Sequence, residues 1–406
     1  MTEANGSRGD ERIVIVGAGQ AGARAAEALR AAGHAGSIAL LGDEPHAPYE
    51  RPQLSKETLL KPGAPVVLIR DAAGWAALNV DLHTGAGVVD CDADRRTVSC
   101  ADGRVFAYDR LLLTTGVRVR RLPALENRGV PVHYLRTIED ALVLRAAFKP
   151  GARIVVIGGG VIGLETAAAA VAAECQVVVI EAAPSLLARA LPKVASDFLL
   201  RRHQAAGVSF RFGLQAIGVE DGAVLFTDGS RQAADALVIG VGAVPNVALA
   251  EKLGLDAAEG VRVDALGRTD AENVFAAGDV ASQWDALRNR WRRVETWANA
   301  QNQAIAAAKT MAGLDAPYQE PVWFWTDQYD VNLQVVGDME AGDLVCRGDP
   351  GGDRFTLLAL EGGIVRGGLT INRRPDMAAL RKLVARASPV DRESLENPSV
   401  DLRKIT

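Results

Sequence analysis

Ile13-Val14-Ile15-Val16-Gly17-Ala18-Gly19-Gln20-Ala21-Gly22 returns, diverged, as Ile154-Val155-Val156-Ile157-Gly158-Gly159-Gly160-Val161-Ile162-Gly163. Each copy is a short Ile/Val run entering G-x-G-x-x-G, followed by an Ala-rich stretch of helical character. The glycines have separate tasks. The first permits a tight strand-to-helix turn, the second lets backbone approach a pyrophosphate, and the third lets the helix pack closely on the strand. The phosphates then meet a helix N-terminus, where unfilled N–H groups and the dipole favour negative charge. Two copies in full strand-Gly-helix context predict two dinucleotides held by one chain.

An acidic residue about 20 residues past each loop completes the pattern. Asp43, with Glu44 as a near alternative, ends the second strand of the first unit. Glu181 ends Val177-Val178-Val179-Ile180 in the second. A carboxylate there accepts hydrogen bonds from a ribose 2′-OH and repels a 2′-phosphate, which favours NADH over NADPH.

The duplication extends beyond the loops. Arg110-Leu111-Leu112-Leu113-Thr114-Thr115-Gly116 and Ala236-Leu237-Val238-Ile239-Gly240-Val241-Gly242 both read as buried strands ending on glycine. Asp-Gly turns mark a β-meander inside each unit, around Val88–Asp90 and Asp102-Gly103 and again at Asp221-Gly222 and Asp228-Gly229. Phe275-Ala276-Ala277-Gly278-Asp279 is a further strand ending in Gly-Asp, and a helix is predicted over roughly 299–312. Beyond Trp325 the pattern changes to short alternating strands and a helix over 377–384. The fold class expected is α/β, with two Rossmann-like dinucleotide-binding domains and a small α+β C-terminal domain. The expected boundaries are 1–117 with 246–325, 118–245, and 326–406.

Composition narrows the function. With 406 residues, 49% hydrophobic and 23% charged, the chain reads as a multidomain globular protein. Its net charge of −5 argues against nucleic acid as a general partner. No run of about 18 apolar residues suggests a membrane span, and the polar Met1–Asp10 lacks the apolar core of a secretory signal. The expectation is a cytoplasmic protein with a short disordered lead-in. Cys91, Cys100, Cys175 and Cys346 form no C-x-x-C pair and have no metal or iron–sulfur spacing. The five histidines show no metal or triad spacing either. Without a redox disulfide, electrons must leave for another molecule.

Several further motifs carry a family likeness: Tyr49-Glu50-Arg51-Pro52-Gln53-Leu54-Ser55-Lys56, Tyr134-Leu135-Arg136-Thr137, Glu295-Thr296-Trp297-Ala298-Asn299-Ala300-Gln301 and Trp323-Phe324-Trp325-Thr326-Asp327-Gln328. With the two loops, they make the chain resemble the FAD-dependent ferredoxin reductases of bacterial oxygenase systems. These are similar to putidaredoxin reductase and to the reductases of biphenyl-type Rieske dioxygenases, within the glutathione-reductase-like flavoproteins. The resemblance runs over about residues 11–404. Gln53 and Thr114 depart from the usual residues at their positions.

The resemblance implies roles by position. The first loop (Gly17, Gly19, Ala21, Gly22) would hold FAD, together with Asp43, Arg51, Lys56, Val88, Arg136, Asp279, Trp297 and Trp325. Lys56 would lie beside the hydride-accepting edge of the flavin, Asp279 at its ribityl hydroxyls, and Trp297 at the pyrimidine edge at a helix start. The second loop (Gly158, Gly160, Val161, Ile162, Gly163) would hold NADH, with Glu165, Glu181, Arg189 and Gly242. Glu165 would face the nicotinamide and pair with Lys56. No metal site is implied.

The implied activity is NADH:ferredoxin oxidoreductase, passing electrons to a [2Fe-2S] ferredoxin that serves a terminal oxygenase, either an aromatic-ring dioxygenase or a cytochrome P450. Monomer and homodimer both stay open. Rubredoxin reductase, NADH oxidase and a flavin redox sensor resembling apoptosis-inducing factor are the rival readings. The basic runs Arg288–Arg293 and Arg373–Lys382 are either solvated faces or a docking patch for an acidic ferredoxin.

Overall fold

The computed structural model describes residues 10–405, apart from 127, 287 and 341. Except for Asp10, the polar lead-in lies outside the described residues. By its contacts the chain divides into two compact units. One comprises Met1–Arg51, Val66–Arg118 and Val244–Glu320; the other comprises Pro52–Pro65, Val119–Ala243 and Pro321–Thr406.

In the first unit the Ile13–Val16 strand pairs in parallel with Ile38–Leu41 on one side and Arg110–Leu113 on the other. Val274–Ala276 and Asp81–His83 complete a five-stranded parallel sheet. Both faces are covered, which is why these strands are continuous apolar runs rather than alternating ones. On one face the helices Gln20–Ala31 and Trp297–Met311 share a core rich in alanine, including Ala23, Ala26, Ala304 and Ala307. On the other face lies the antiparallel meander Val88–Asp92, Thr97–Cys100 and Val105–Ala107, with Cys91, Val98 and Cys100 packed beneath the sheet.

The second unit repeats the plan. Arg153–Ile157 lies between Gln176–Glu181 and Ala236–Ile239, with Ser209–Phe212 and Val132–His133 at the edges, all parallel. Its meander is Ala216–Glu220, Ala223–Phe226 and Arg231–Ala233. The duplication reaches the ion pairs. At the start of the first sheet Arg12 donates its backbone N–H and guanidinium to Asp109, and at the start of the second Arg153 does the same to Asp235. The arginine hydrogen bonds hold both carboxyls down, to a pKa of about 2.

The C-terminal sheet is antiparallel, in the order Trp323–Gln328, Val331–Gly337, Ile364–Ile371, Phe355–Glu361 and Asp343–Gly348. One face packs on the helix Arg374–Arg386. The other joins Leu164, Phe198 and Leu199 in a single core with Val331, Leu333, Phe355 and Leu369. Through that shared core these strands group by contact with the second dinucleotide fold. Residues Pro52–Pro65 also group there, through the short helix Glu57–Leu60. The helix expected over 299–312 begins at Trp297, because the Thr296 side chain accepts the Asn299 N–H and starts the helix there. The last long helix spans Arg374–Arg386 rather than 377–384, with proline in its first turn.

Candidate functional site

The two glycine loops have the same geometry. Gly17 and Gly158 hold φ of +113° and +108°, and an added Cβ would lie 2.2 Å from the Thr114 carbonyl oxygen and 2.5 Å from that of Gly240. At Gly22 and Gly163 a Cβ would come within 2.0 Å of the carbonyl oxygen of the first glycine of each loop. The middle glycines differ. A Cβ at Gly19 meets nothing within 4 Å, and at Gly160 only the Gly240 oxygen, at 4.0 Å.

The protein's own packing therefore requires the first and third glycines, while the second faces open space. Gly19 and Gly160 are also the N-caps of their helices; no side chain caps either helix, and neither first turn is acidic. Unfilled amides opening on a side-chain-free cradle fit a pyrophosphate. Ala21 lies in the first of these helix turns, Val161 and Ile162 in the second.

In the first unit Asp43 is exposed just past the end of its strand. Glu44, the alternative acidic residue, is committed: it accepts from Tyr49 Oη at 2.6 Å and from Arg51 at 2.7 Å. Arg51 lies over the Tyr49 ring at 4.9 Å. Burial alone would lower its pKa, but Tyr49, Glu44 and Asp279 hold it above the ordinary value. Asp279 is half-buried after Gly278, whose N–H donates to Gln303 at 2.9 Å. Trp297 opens its helix, and its indole N–H donates to Glu50 at 2.6 Å. Glu50 was assigned no role from sequence, though it sits inside the Tyr49–Lys56 motif. Val88 is half-buried at the start of the meander.

In the second unit Glu181 turns back onto its own loop, accepting from the N–H of Gly159 at 2.6 Å and of Ala183 at 2.7 Å. Gly242 (φ +103°) has open space around its missing Cβ, and Arg189 is exposed between Glu181 and the next helix. Arg136 is half-buried, its N–H donating to Asp140 in the capping box that starts Ile138–Ala147. Trp325 stacks on Trp323 with centroids 5.2 Å apart.

Lys56 and Glu165 come together. Their ion pair is 2.9 Å long, and the Glu165 residue is 3% exposed. Lys56 Nζ also donates to the Pro52 carbonyl at 3.2 Å. Glu165 accepts two further hydrogen bonds, from Ser55 on one oxygen and from Thr326 on the other at 2.7 Å. Neither hydroxyl was singled out from sequence, although both sit inside quoted motifs.

The basic runs are largely neutralised where they stand. Arg288 and Arg292 pair with Asp285, Arg293 with Glu295, Arg373 with Asp376 and Arg374 with Asp327, while Arg381 lies over the Trp323 ring. All four cysteines are free, and burial pushes the Cys91 thiol up to about 11.

Comparison with known proteins places the whole chain in one family. The family model described as pyridine nucleotide-disulphide oxidoreductase matches residues 11–304, and one described as reductase C-terminal matches 323–406. The ferredoxin–NAD(+) reductase component of the p-cumate 2,3-dioxygenase system of Pseudomonas putida is 44% identical, covering 97% of this chain and 98% of that protein. The corresponding component of the anthranilate 1,2-dioxygenase system of Burkholderia cepacia is 41% identical, over 96% and 98%. Among solved structures, the covalent putidaredoxin reductase–putidaredoxin complex superposes with a TM-score of 0.92 at 35% identity, covering 97% of each chain. The ferredoxin reductase for the CYP199A2 system of Rhodopseudomonas palustris gives 0.92 at 35%, over 97% and 99%. With two glycine cradles, a Lys–Glu pair on a buried carboxylate and a matched C-terminal sheet, the chain belongs to the pyridine nucleotide-disulphide oxidoreductase family.

Proposed function

We propose that the protein is an NADH-dependent ferredoxin reductase that holds FAD at the Gly17 loop and takes NADH at the Gly158 loop. One observation carries the reading: a chain with two pyrophosphate cradles has four cysteines, all free. Electrons brought by a dinucleotide have no internal disulfide to reduce and must leave on an external carrier. The names of the full-length relatives point to a ferredoxin as that carrier, and the higher identity to dioxygenase-system reductases favours an aromatic-ring dioxygenase over a P450 as the final consumer. Free thiols and a need for NADH suit the reducing cytoplasm.

Bound FAD supplies the conversion of a two-electron hydride donor into single electrons for a [2Fe-2S] acceptor. The residues do the rest. Gly17, Gly19, Ala21 and Gly22 would offer helix N–H groups to the FAD pyrophosphate. Asp43 would accept from its ribose, and Asp279, Arg51 and Val88 would hold the cofactor on the same unit, with Arg136 and Trp325 the further contacts that the resemblance implies. The helix starting at Trp297 would stabilise negative charge on the flavin with its positive end. Lys56, held by Glu165, would supply a cation for charge developing on the flavin.

Gly158, Gly160, Val161, Ile162 and Gly163 bind the NADH pyrophosphate beside Arg189 and Gly242. Glu181 accepts from the 2′-OH and rejects a 2′-phosphate. The decisive measurement is NADH-driven cytochrome c reduction with a panel of purified [2Fe-2S] ferredoxins. At least one ferredoxin from an oxygenase system should raise the rate well above background, with NADH preferred to NADPH. If none does, the carrier is not a ferredoxin.

A further inference from the structure

Glu165 is the end of a longer chain of hydrogen bonds. Thr326 Oγ1 donates to Glu165 Oε1 at 2.7 Å, and Gln328 Nε2 donates to Thr326 Oγ1 at 2.9 Å. Gln328 Oε1 lies 2.7 Å from His203 Nε2, and His203 Nδ1 lies 2.9 Å from Tyr329 Oη. Thr326, Gln328 and His203 are 1%, 2% and 0% exposed, whereas Tyr329 is 40% exposed. The chain thus crosses from a buried carboxylate to the surface.

Its direction follows from the donor inventory. Glu165, paired with Lys56, accepts, so the Thr326 hydroxyl donates and must itself be met by a donor, the Gln328 amide nitrogen. The Gln328 oxygen can only accept, so His203 carries its proton on Nε2. Nδ1 of the neutral ring is then an acceptor, and Tyr329 donates to it. Every bond points toward Glu165.

We propose that His203 is a positioning residue for the Lys56–Glu165 pair, acting through Gln328 and Thr326 by way of its Nε2–H. The claim rests on the reading that NADH is oxidised at this pair. Thr326 and Lys56 share Oε1 of Glu165. Fixing Thr326 therefore fixes the carboxylate oxygen against which the lysine sits. Gln328 conducts protons poorly because its amide would have to change tautomer, so the chain orients and does not relay protons.

Protonation of His203 would set an N–H against the Tyr329 hydroxyl and reverse the last bond. Burial lowers the His203 pKa, against a smaller upward pull from its Gln328 hydrogen bond, so the neutral form persists at physiological pH. The helix of His203 brings Arg202, which pairs with Asp330 beside Tyr329, and the Ser209–Phe212 strand presents the uncharged ring of Phe210.

The test uses ¹⁵N-histidine-labelled holoprotein titrated between about pH 5 and 8, with the His203 signal identified by its loss in His203→Gln. Wild type should show the Nε2–H tautomer when neutral and a midpoint below the ordinary histidine value. Glu165→Gln should lower that midpoint, since the chain then ends on a neutral amide instead of a carboxylate that polarises each donor toward it. The same substitution in a Gln328→Leu background should produce less of this shift. Tyr329→Phe, at the surface and safe for folding, should raise the midpoint, because the neutral ring loses its donor.

In NADH-to-ferricyanide turnover, which needs no ferredoxin, Gln328→Leu should lower kcat/KM for NADH by about threefold to tenfold at neutral pH. Identical His203 midpoints in wild type and Glu165→Gln, or an unchanged kcat/KM in Gln328→Leu, would overturn the proposal. Neither result bears on whether a ferredoxin is the acceptor.

Discussion

Gly19 and Gly22 stand three residues apart and should fail in different ways. An added methyl at Gly22 would meet the Gly17 carbonyl oxygen at 2.0 Å, and backbone has little room to give. Gly22→Ala should therefore destabilise the protein by about 1–3 kcal/mol, read as a lower urea midpoint. At Gly19 the methyl meets no protein atom within 4 Å. Gly19→Ala should fold with unchanged far-ultraviolet circular dichroism but lose most of its bound-flavin absorbance, because the methyl occupies the pyrophosphate's space. Full flavin retention in Gly19→Ala would remove the cofactor from that loop. The same contrast separates Asp43 from Glu44. Both are acidic and adjacent, but Glu44 is occupied by Tyr49 and Arg51 while Asp43 stays exposed at the strand end.

At the scale of elements, the Trp297–Met311 helix couples stability to the site. Its alanines let it lie close to Gln20–Ala31, and its N-terminus depends on one hydroxyl, Thr296. Thr296→Ala should cost about 1 kcal/mol of stability by thermal melting. It should also weaken flavin retention, since the first-turn amides would no longer be held in place. A loss of stability with flavin affinity intact would show that this helix end serves the fold alone. The paired clamps Arg12–Asp109 and Arg153–Asp235 show how far the internal duplication goes. Each ties the start of a sheet's first strand to the approach of a neighbouring strand. Both are half-exposed, so solvent screening limits what either contributes.

At the scale of the whole molecule, the titrating groups predict one direction of acid sensitivity. Burial lowers the pKa of His34, His133 and His203. Each is neutral in the fold and protonates more readily when unfolded. Their contribution is present above about pH 6.5 and is lost as pH falls through the folded values. Asp109 and Asp235, held at about 2 by their arginines, contribute above about pH 3.8 and lose that contribution as pH falls toward 2. Urea midpoints measured against pH should therefore fall in two stages on acidification, the first beginning in the range of histidine. A midpoint that rises between pH 7 and 5 would contradict this assignment.

Much of this was already present in the residue order. The Ile/Val runs, the glycine spacing and the strand-end carboxylates act over a few residues of backbone, so turn geometry and helix N-termini follow from local chemistry. The sequence by itself determined two dinucleotide folds, their order and the absence of a cysteine pair of redox spacing. The tertiary structure decided what depends on residues far apart in the chain: Ser55 and Thr326 closing on Glu165, Arg374 meeting Asp327, and the C-terminal sheet sharing a core with the second dinucleotide fold. Periodicity carries no information about which polar groups meet across a core. Those meetings are set by packing, because a buried donor or acceptor must find a partner wherever the fold brings one within reach.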